Sequence, residues 1–261
     1  MIHILEEVLK RVQGNETIAL VTIVDISGSA PGMIGSKMAV NFNGRLVGTI
    51  GGGILEGKVI NLAKEAIKKH KSQLLNYHLT RDEASLEKEV ICGGDVQIFI
   101  DVIEPQEEII IFGAGHIAVC LSKLAKMIGL KVTIVDEREE FSNKERFPEA
   151  DQIIVAEPDQ VLDKIRNISS TYFVIITRGH LKDEEALLTV IGQQAKYIGM
   201  IGSSQKNAVI FQHLREKGIT QEKIHKIFSP IGLDIGAKTP EEIAISIIAE
   251  IVQVRRGKIR E

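Results

Sequence analysis

Four apolar residues, Ile109-Ile110-Ile111-Phe112, run straight into Gly113-Ala114-Gly115-His116-Ile117-Ala118, and Asp136 closes the next apolar run 21 residues after Gly115. An unbroken apolar run of this kind suits a strand buried on both faces, and glycines just past it suit a tight turn into a helix. Strand, helix and strand within so short a stretch is the unit of a parallel sheet with a crossover helix. The pattern then repeats. Strands are predicted at 109–112, 132–135, 152–155, 172–177 and 197–201 with helices between them. The fold class expected from residue 106 onward is therefore α/β, a Rossmann-like doubly wound parallel sheet.

Residues 1–105 read differently. Ile4, Leu5, Val8, Leu9 and Val12 recur at helical spacing up to Gly14. Residues 17–26 are rich in β-branched side chains, and 38–42 and 46–50 flank Asn43-Gly44, which predicts a type I′ hairpin. A second helix is expected over 54–67, after Gly51-Gly52-Gly53, with further strands at 74–79 and 96–103. The expectation is a smaller α+β domain over 1–105, built on a small mixed sheet, followed by the Rossmann-like domain over 106–261.

Charge narrows the partners. Lys and Arg number 32 against 35 Asp and Glu, a formal net charge of -3, and the basic residues are interleaved with acids. Nucleic acid is not an expected partner. No apolar run reaches the roughly 20 residues of a membrane span. The start, Met1-Ile2-His3-Ile4-Leu5-Glu6-Glu7, lacks the basic-then-apolar order of a signal peptide. The expectation is a cytoplasmic protein with no membrane partner. The two cysteines, Cys92 and Cys120, are too few for a disulfide framework and lack zinc-site spacing. Cys120 falls in a helical apolar pattern and reads as a small core hydrophobe.

Candidate ligand contacts sit at the strand ends. Gly113 and Gly115 would let a pyrophosphate approach the amino end of the following helix, and Asp136 would accept hydrogen bonds from ribose hydroxyls. Motif physics alone points to NAD(P) and an oxidoreductase; the alternative is a pair of glycines that only make the turn. Arg178-Gly179-His180 follows one later strand, and Gly202-Ser203-Ser204-Gln205-Lys206 follows another. Arg178, His180, Ser203 and Lys206 are residue types that hold an anion, with Ser203 suited to the N-cap. The plainer readings are a histidine bonded to a carbonyl and a solvated lysine.

Helices starting near Gly115 and Ser204 carry no acid in the first turn, whereas the last helix carries Glu241 and Glu242. Its start is strongly signalled, with Thr239 at the N-cap, Pro240 at the first helical position and Glu242 completing a capping box. Just before it, Gly232 and Gly236 flank Asp234, which is open to a ligand or to a hydrogen bond within its own loop.

This run, Ser229-Pro230-Ile231-Gly232-Leu233-Asp234-Ile235-Gly236-Ala237-Lys238-Thr239-Pro240-Glu241-Glu242-Ile243, with Ile201-Gly202-Ser203 upstream, resembles the carboxyl-terminal domain of the XdhC/CoxI family. Members of that family are accessory factors in the maturation of xanthine and carbon monoxide dehydrogenases. Gly48-Thr49-Ile50-Gly51-Gly52-Gly53-Ile54-Leu55-Glu56 resembles the family's first-domain glycine motif in the form seen in xanthine dehydrogenase factors. Many carbon monoxide dehydrogenase-type members have a cysteine in the place of Ile54, so one thiol is missing here. Cys92-Gly93-Gly94 is similar to the family's Cys-Gly-Gly element. The resemblance runs from about residue 10 to 105 and over 109–256.

What it implies is a maturation factor rather than a turnover enzyme. Such a protein binds the molybdenum cofactor, as molybdopterin or its dinucleotide form, and holds it while a cysteine desulfurase supplies the terminal sulfido ligand. It then delivers the cofactor to an apo molybdenum hydroxylase of xanthine dehydrogenase type, and it forms a homodimer. By resemblance, Gly51, Gly52, Gly53, Glu56, Cys92, Gly93 and Gly94 belong to the metal–pterin end. Gly113, Gly115, His116, Asp136, Arg178, His180, Ser203 and Lys206 belong to the phosphate or nucleotide end, with Asp234 a further contact. A Cys92 thiolate is suited to touch molybdenum or to relay sulfur, the alternative being an inert buried thiol. Glu56 has the alternative of capping its own helix.

Overall fold

The computed structural model describes residues 1–28, 30–78, 94–165 and 168–258. Cys92 and Gly93 lie outside these described residues. The chain divides into two compact units, Met1–Pro105 and Gln106–Glu261.

The first unit runs α1 (Ile2–Gln13), β1 (Ile18–Gly28), β2 (Lys37–Asn41), β3 (Gly44–Gly48), α2 (Gly53–Lys69), β4 (Gln73–His78) and β5 (Gly94–Ile103). Its sheet has the order β3-β2-β1-β5-β4, and every described pairing is antiparallel, which corrects the mixed sheet expected above. The reason lies in α2, which carries the chain from one edge strand to the other and so never joins two adjacent strands. Leu55, Val59, Ala63 and Ile67 of α2 pack on Val21, Ile23, Met38, Val40, Ile98 and Ile100 to form the core. α1 covers the opposite face through Val8, which packs with Ile18 and Ala39.

The hairpin also differs from expectation. Asn41 pairs with Gly44, so the turn residues are Phe42 and Asn43, and neither has the positive φ a type I′ turn requires. Asn41 explains the shift: its side-chain oxygen accepts hydrogen bonds from the N–H groups of Asn43 and Gly44, both at 3.0 Å. That Asx arrangement closes the turn one residue earlier and leaves the left-handed demand to Gly44, at φ 140°.

The second unit contains β6 (Glu108–Phe112), α3 (His116–Met127), β7 (Lys131–Asp136), β8 (Gln152–Val155), β9 (Thr171–Ile175) and α4 (His180–Val190). β10 (Tyr197–Met200), α5 (Ser204–Glu216), α6 (Gln221–His225), β11 (Ile227–Phe228) and α7 (Pro240–Arg255) complete it. All pairings are parallel in the order β11-β10-β9-β6-β7-β8. This is the doubly wound Rossmann order, with its reversal between β6 and β9.

Period-two alternation places Ile109, Ile111, Val132, Ile134 and Val174 against α3 and α7. The intervening Ile110, Phe112, Phe173 and Ile175 face α4 and α5. Both faces of the sheet are covered, which is why its strands read as continuous apolar runs. Between β7 and β8 the chain uses turns rather than an α-helix, pinned by Phe147, which is fully buried.

Candidate functional site

Ligands of doubly wound sheets bind beyond the carboxyl ends of the strands, where strand order reverses. Here the turn after β6 sits against the end of β9: Ile176 N–H donates to the Phe112 carbonyl at 2.9 Å, and Gly113 N–H donates to Val135 at 2.8 Å. Gly113 has φ 105°, and a Cβ on it would collide with the Ile176 carbonyl oxygen. Only glycine fits there.

Gly115 is different. It is the N-cap of α3 with an ordinary φ of -75°, and a Cβ built on it would meet nothing within 4 Å. Glycine is a favoured N-cap residue, and here it also leaves the amino end of α3 open to close approach. α3 has no side-chain cap and no acid in its first turn, so its N–H groups and positive dipole end are available to an anion. His116 opens this helix and is exposed.

Ala114, between the two glycines, is gripped on both sides of its peptide. Its N–H donates to Asp136 Oδ2 at 2.8 Å, and its carbonyl accepts from Arg146 Nη2 at 3.1 Å. Asp136 is thus brought to the glycine turn as expected from its spacing, but its side chain is 2% exposed and ion-paired with Arg138 at 2.7 Å. Burial alone would push its carboxyl up; the hydrogen bonds from Arg138 and Ala114 outweigh that and hold it below the usual aspartate value. In this geometry Asp136 organises the turn.

The other strand ends supply the remaining candidates. Arg178 and Gly179 are exposed between β9 and α4, and His180 begins α4. Ser203 caps α5 by accepting from Lys206 N–H at 3.4 Å, and α5 has no acid in its first turn. His180 and Lys206 come together in a cavity of about 320 Å³ whose walls include Leu181, Val209 and His213.

Asp183, a residue the sequence reading did not single out, lies between these two turns and is 5% exposed. Its Oδ1 accepts from Thr177 N–H at 3.1 Å and Thr177 Oγ1 at 2.6 Å, which fixes the turn carrying Arg178. Burial pushes its carboxyl up, against the opposing influence of the Thr177 donors, His180 and Lys206.

Asp234 stands on the loop from β11 to α7, which runs along the end of β10 through Ile231 N–H to the Met200 carbonyl at 3.1 Å. It is exposed, and among the described residues its carboxylate has no hydrogen-bond partner, so the alternative of a bond within its own loop is not what the structure contains. The loop is anchored at both ends. Gly232 N–H donates to the fully buried Glu250 at 2.8 Å, and the Thr239–Glu242 capping box is formed as its sequence predicts.

In the first unit, Gly51 (φ 119°) presses on the preceding loop, where a Cβ would lie 2.6 Å from Gly32 N. Gly28 pairs with Gly94, so one loop links the start of β5 to the triple-glycine turn. Gly52 and Gly53 also have positive φ, with open space where a Cβ would be.

Glu56 faces its own chain: Oε2 accepts from Thr49 Oγ1 at 2.5 Å, Ile50 N–H at 3.0 Å and Gly52 N–H at 3.1 Å, while Arg45 pairs with Oε1 at 3.0 Å. Of its two expected roles, capping is the one the structure displays. Burial raises its pKa, but these donors outweigh burial and leave it lowered from 4.5. Its stabilising contribution is therefore present above that value and lost as pH falls through the lower folded-state value. Glu56→Gln is expected to cost about 1–3 kcal/mol at neutral pH. The gap in urea midpoint between variant and wild type should close on acidification; an unchanged gap would refute the assignment.

Similarities to known proteins bear on this arrangement. A model described as the XdhC Rossmann domain matches residues 109–251, and one described as the XdhC and CoxI family matches residues 12–78. The Escherichia coli K12 protein YqeB is 34% identical over 255 residues, covering 98% of this chain and 47% of YqeB. A Bacillus subtilis 168 protein named as a probable xanthine dehydrogenase subunit is 35% identical over 159 residues, 61% of this chain and 46% of that protein. The E. coli K12 molybdenum cofactor insertion chaperone PaoD is 22% identical over 275 residues, 90% of this chain and 83% of PaoD. The chain spans about half the length of the first two of these curated relatives.

Proposed function

The chain belongs to the XdhC and CoxI family, whose Rossmann model it matches over residues 109–251 of 261, and from that membership we propose that it is an accessory maturation factor for a molybdenum hydroxylase. In this reading its cargo is the molybdenum cofactor and its client an apoenzyme of xanthine dehydrogenase type. Support comes from relatives bearing the names of a xanthine dehydrogenase subunit and of a molybdenum cofactor insertion chaperone. A cysteine desulfurase that supplies the sulfido ligand and a homodimeric assembly complete the proposal. Cys92, outside the described residues, is its candidate for the metal or sulfur contact.

The observation that carries the reading is the turn from β6 into α3. An anionic phosphate fits an acid-free helix start whose N-cap glycine leaves open space where a side chain would stand. A carrier needs such a handle on the cargo's phosphate, leaving the metal end accessible for exchange.

The test is anaerobic equilibrium binding of molybdenum cofactor to the wild type, Cys92→Ala and Lys206→Ala, with NAD(H) and NADP(H) as rivals. Saturable cofactor binding, weakened about tenfold or more in both variants, is expected. Saturable nicotinamide binding with no affinity for molybdenum cofactor would overturn the reading in favour of an oxidoreductase.

A further inference from the structure

We propose that Arg138 is a specificity residue that closes the ribose position of the Rossmann site, so that the turn from β6 into α3 takes a phosphate monoester and turns away a ligand whose diphosphate continues into a ribose held at Asp136. This rests on reading Gly113-Ala114-Gly115 as the phosphate site. In dinucleotide-binding sheets the acid ending the second strand holds the ribose hydroxyls, and Asp136 ends β7 in that position.

A carboxylate offers about four lone-pair positions. All four of Asp136 are taken by its own chain. Oδ1 accepts from Arg138 N–H at 3.0 Å and Arg138 Nε at 2.8 Å. Oδ2 accepts from Ala114 N–H at 2.8 Å and Arg138 Nη2 at 2.7 Å. The guanidinium is held in turn by the Phe141 ring, whose centroid lies 4.1 Å from Cζ. A ribose must therefore displace a buried, bidentate, charge-assisted pair before it gains anything. A terminal phosphate at α3 makes no such demand.

The arrangement predicts a gain of binding on removing a side chain. Without the guanidinium, each Asp136 oxygen keeps one backbone donor and regains one lone pair. Two freed acceptors are what the two hydroxyls of a ribose use.

The experiment measures equilibrium binding of ADP-ribose and ADP-ribose 2′-phosphate to the full chain, with melting recorded in parallel. Wild type is compared with Arg138→Ala, Arg138→Met and Arg138→Ala/Asp136→Asn. Met keeps an apolar stem over Phe141, so a folded variant is at hand if Ala loosens the segment. ADP-ribose should bind the single variants at least about tenfold more tightly than wild type, and the double variant should return to the wild-type level.

Equal ADP-ribose affinity in wild type and single variants overturns the proposal, as does a gain that survives Asp136→Asn. Wild-type preference for the 2′-phosphorylated probe, lost in Arg138→Ala, would make Arg138 a phosphate reader and also overturn it. Failure of the cofactor reading shows separately, as absence of molybdenum cofactor binding to the wild type.

Discussion

Replacing Gly113 by alanine is expected to destabilise the Rossmann unit by about 3 kcal/mol or more, while the same change at Gly115 should cost at most about 1 kcal/mol. The two residues stand two positions apart in the same turn. At Gly113 a Cβ meets both the left-handed φ of 105° and the Ile176 carbonyl, a backbone atom that cannot rotate away. Relief would require β6 and β9 to separate at the very point where Ile176 N–H bonds Phe112. At Gly115 neither obstacle exists. Binding should show the reverse order of information: Gly115→Ala folds normally yet loses about tenfold in affinity for a phosphate-bearing ligand, because the methyl group stands where the phosphate approaches. Urea unfolding of both variants, with ligand titration of Gly115→Ala, checks the pair. A stable Gly113→Ala would remove the steric argument, and an unaffected Gly115→Ala would remove the ligand argument.

The second large effect is expected at Glu250→Ala. Glu250 is completely buried in α7, and its Oε2 accepts from the Tyr197 hydroxyl at 2.6 Å and from Gly232 N–H at 2.8 Å. Tyr197 is itself 2% exposed and stacks on Phe228 with centroids 4.6 Å apart. Deleting the carboxylate strands both donors in an apolar surrounding, at about 1–3 kcal/mol each. A total loss of about 2–6 kcal/mol follows. Tyr197→Phe, which removes one donor and leaves the carboxylate with Gly232, should cost less. Denaturant midpoints on both variants decide the matter; a loss under about 1 kcal/mol in Glu250→Ala would mean that water or a rearranged side chain takes its place.

Most of the second unit could be read in advance because its strands are buried on both faces. The expected 152–155 strand matches β8, and the other runs shift by only a residue or two at their ends. α7 was legible because its start depends on neighbouring residues alone. What escaped depends on partners distant or ambiguous in sequence. Asp136 had the right spacing for a ribose acid, but Arg138 two residues on could take its oxygens only if the chain after β7 turned back, which it does. The Asn43-Gly44 pair signalled a hairpin, yet Asn41 moved the turn by offering a side-chain oxygen that propensity does not weigh. Asp183 looked like any acid in a first helical turn. Glu250 did leave a trace, an acid flanked by isoleucine and alanine on an otherwise apolar helix face. Such a residue is buried only with partners.

The loop bearing Asp234 is short of freedom. Its entry is fastened where Gly232 and Leu233 bond Glu250 and Ser246, and its exit where Lys238 and Thr239 bond Glu242. Little conformational entropy remains to be lost when something docks there, so a contact with Asp234 would retain most of its intrinsic strength. The same tethering makes position unforgiving. A partner reaching this carboxylate must come to it, because the loop cannot stretch to meet the partner.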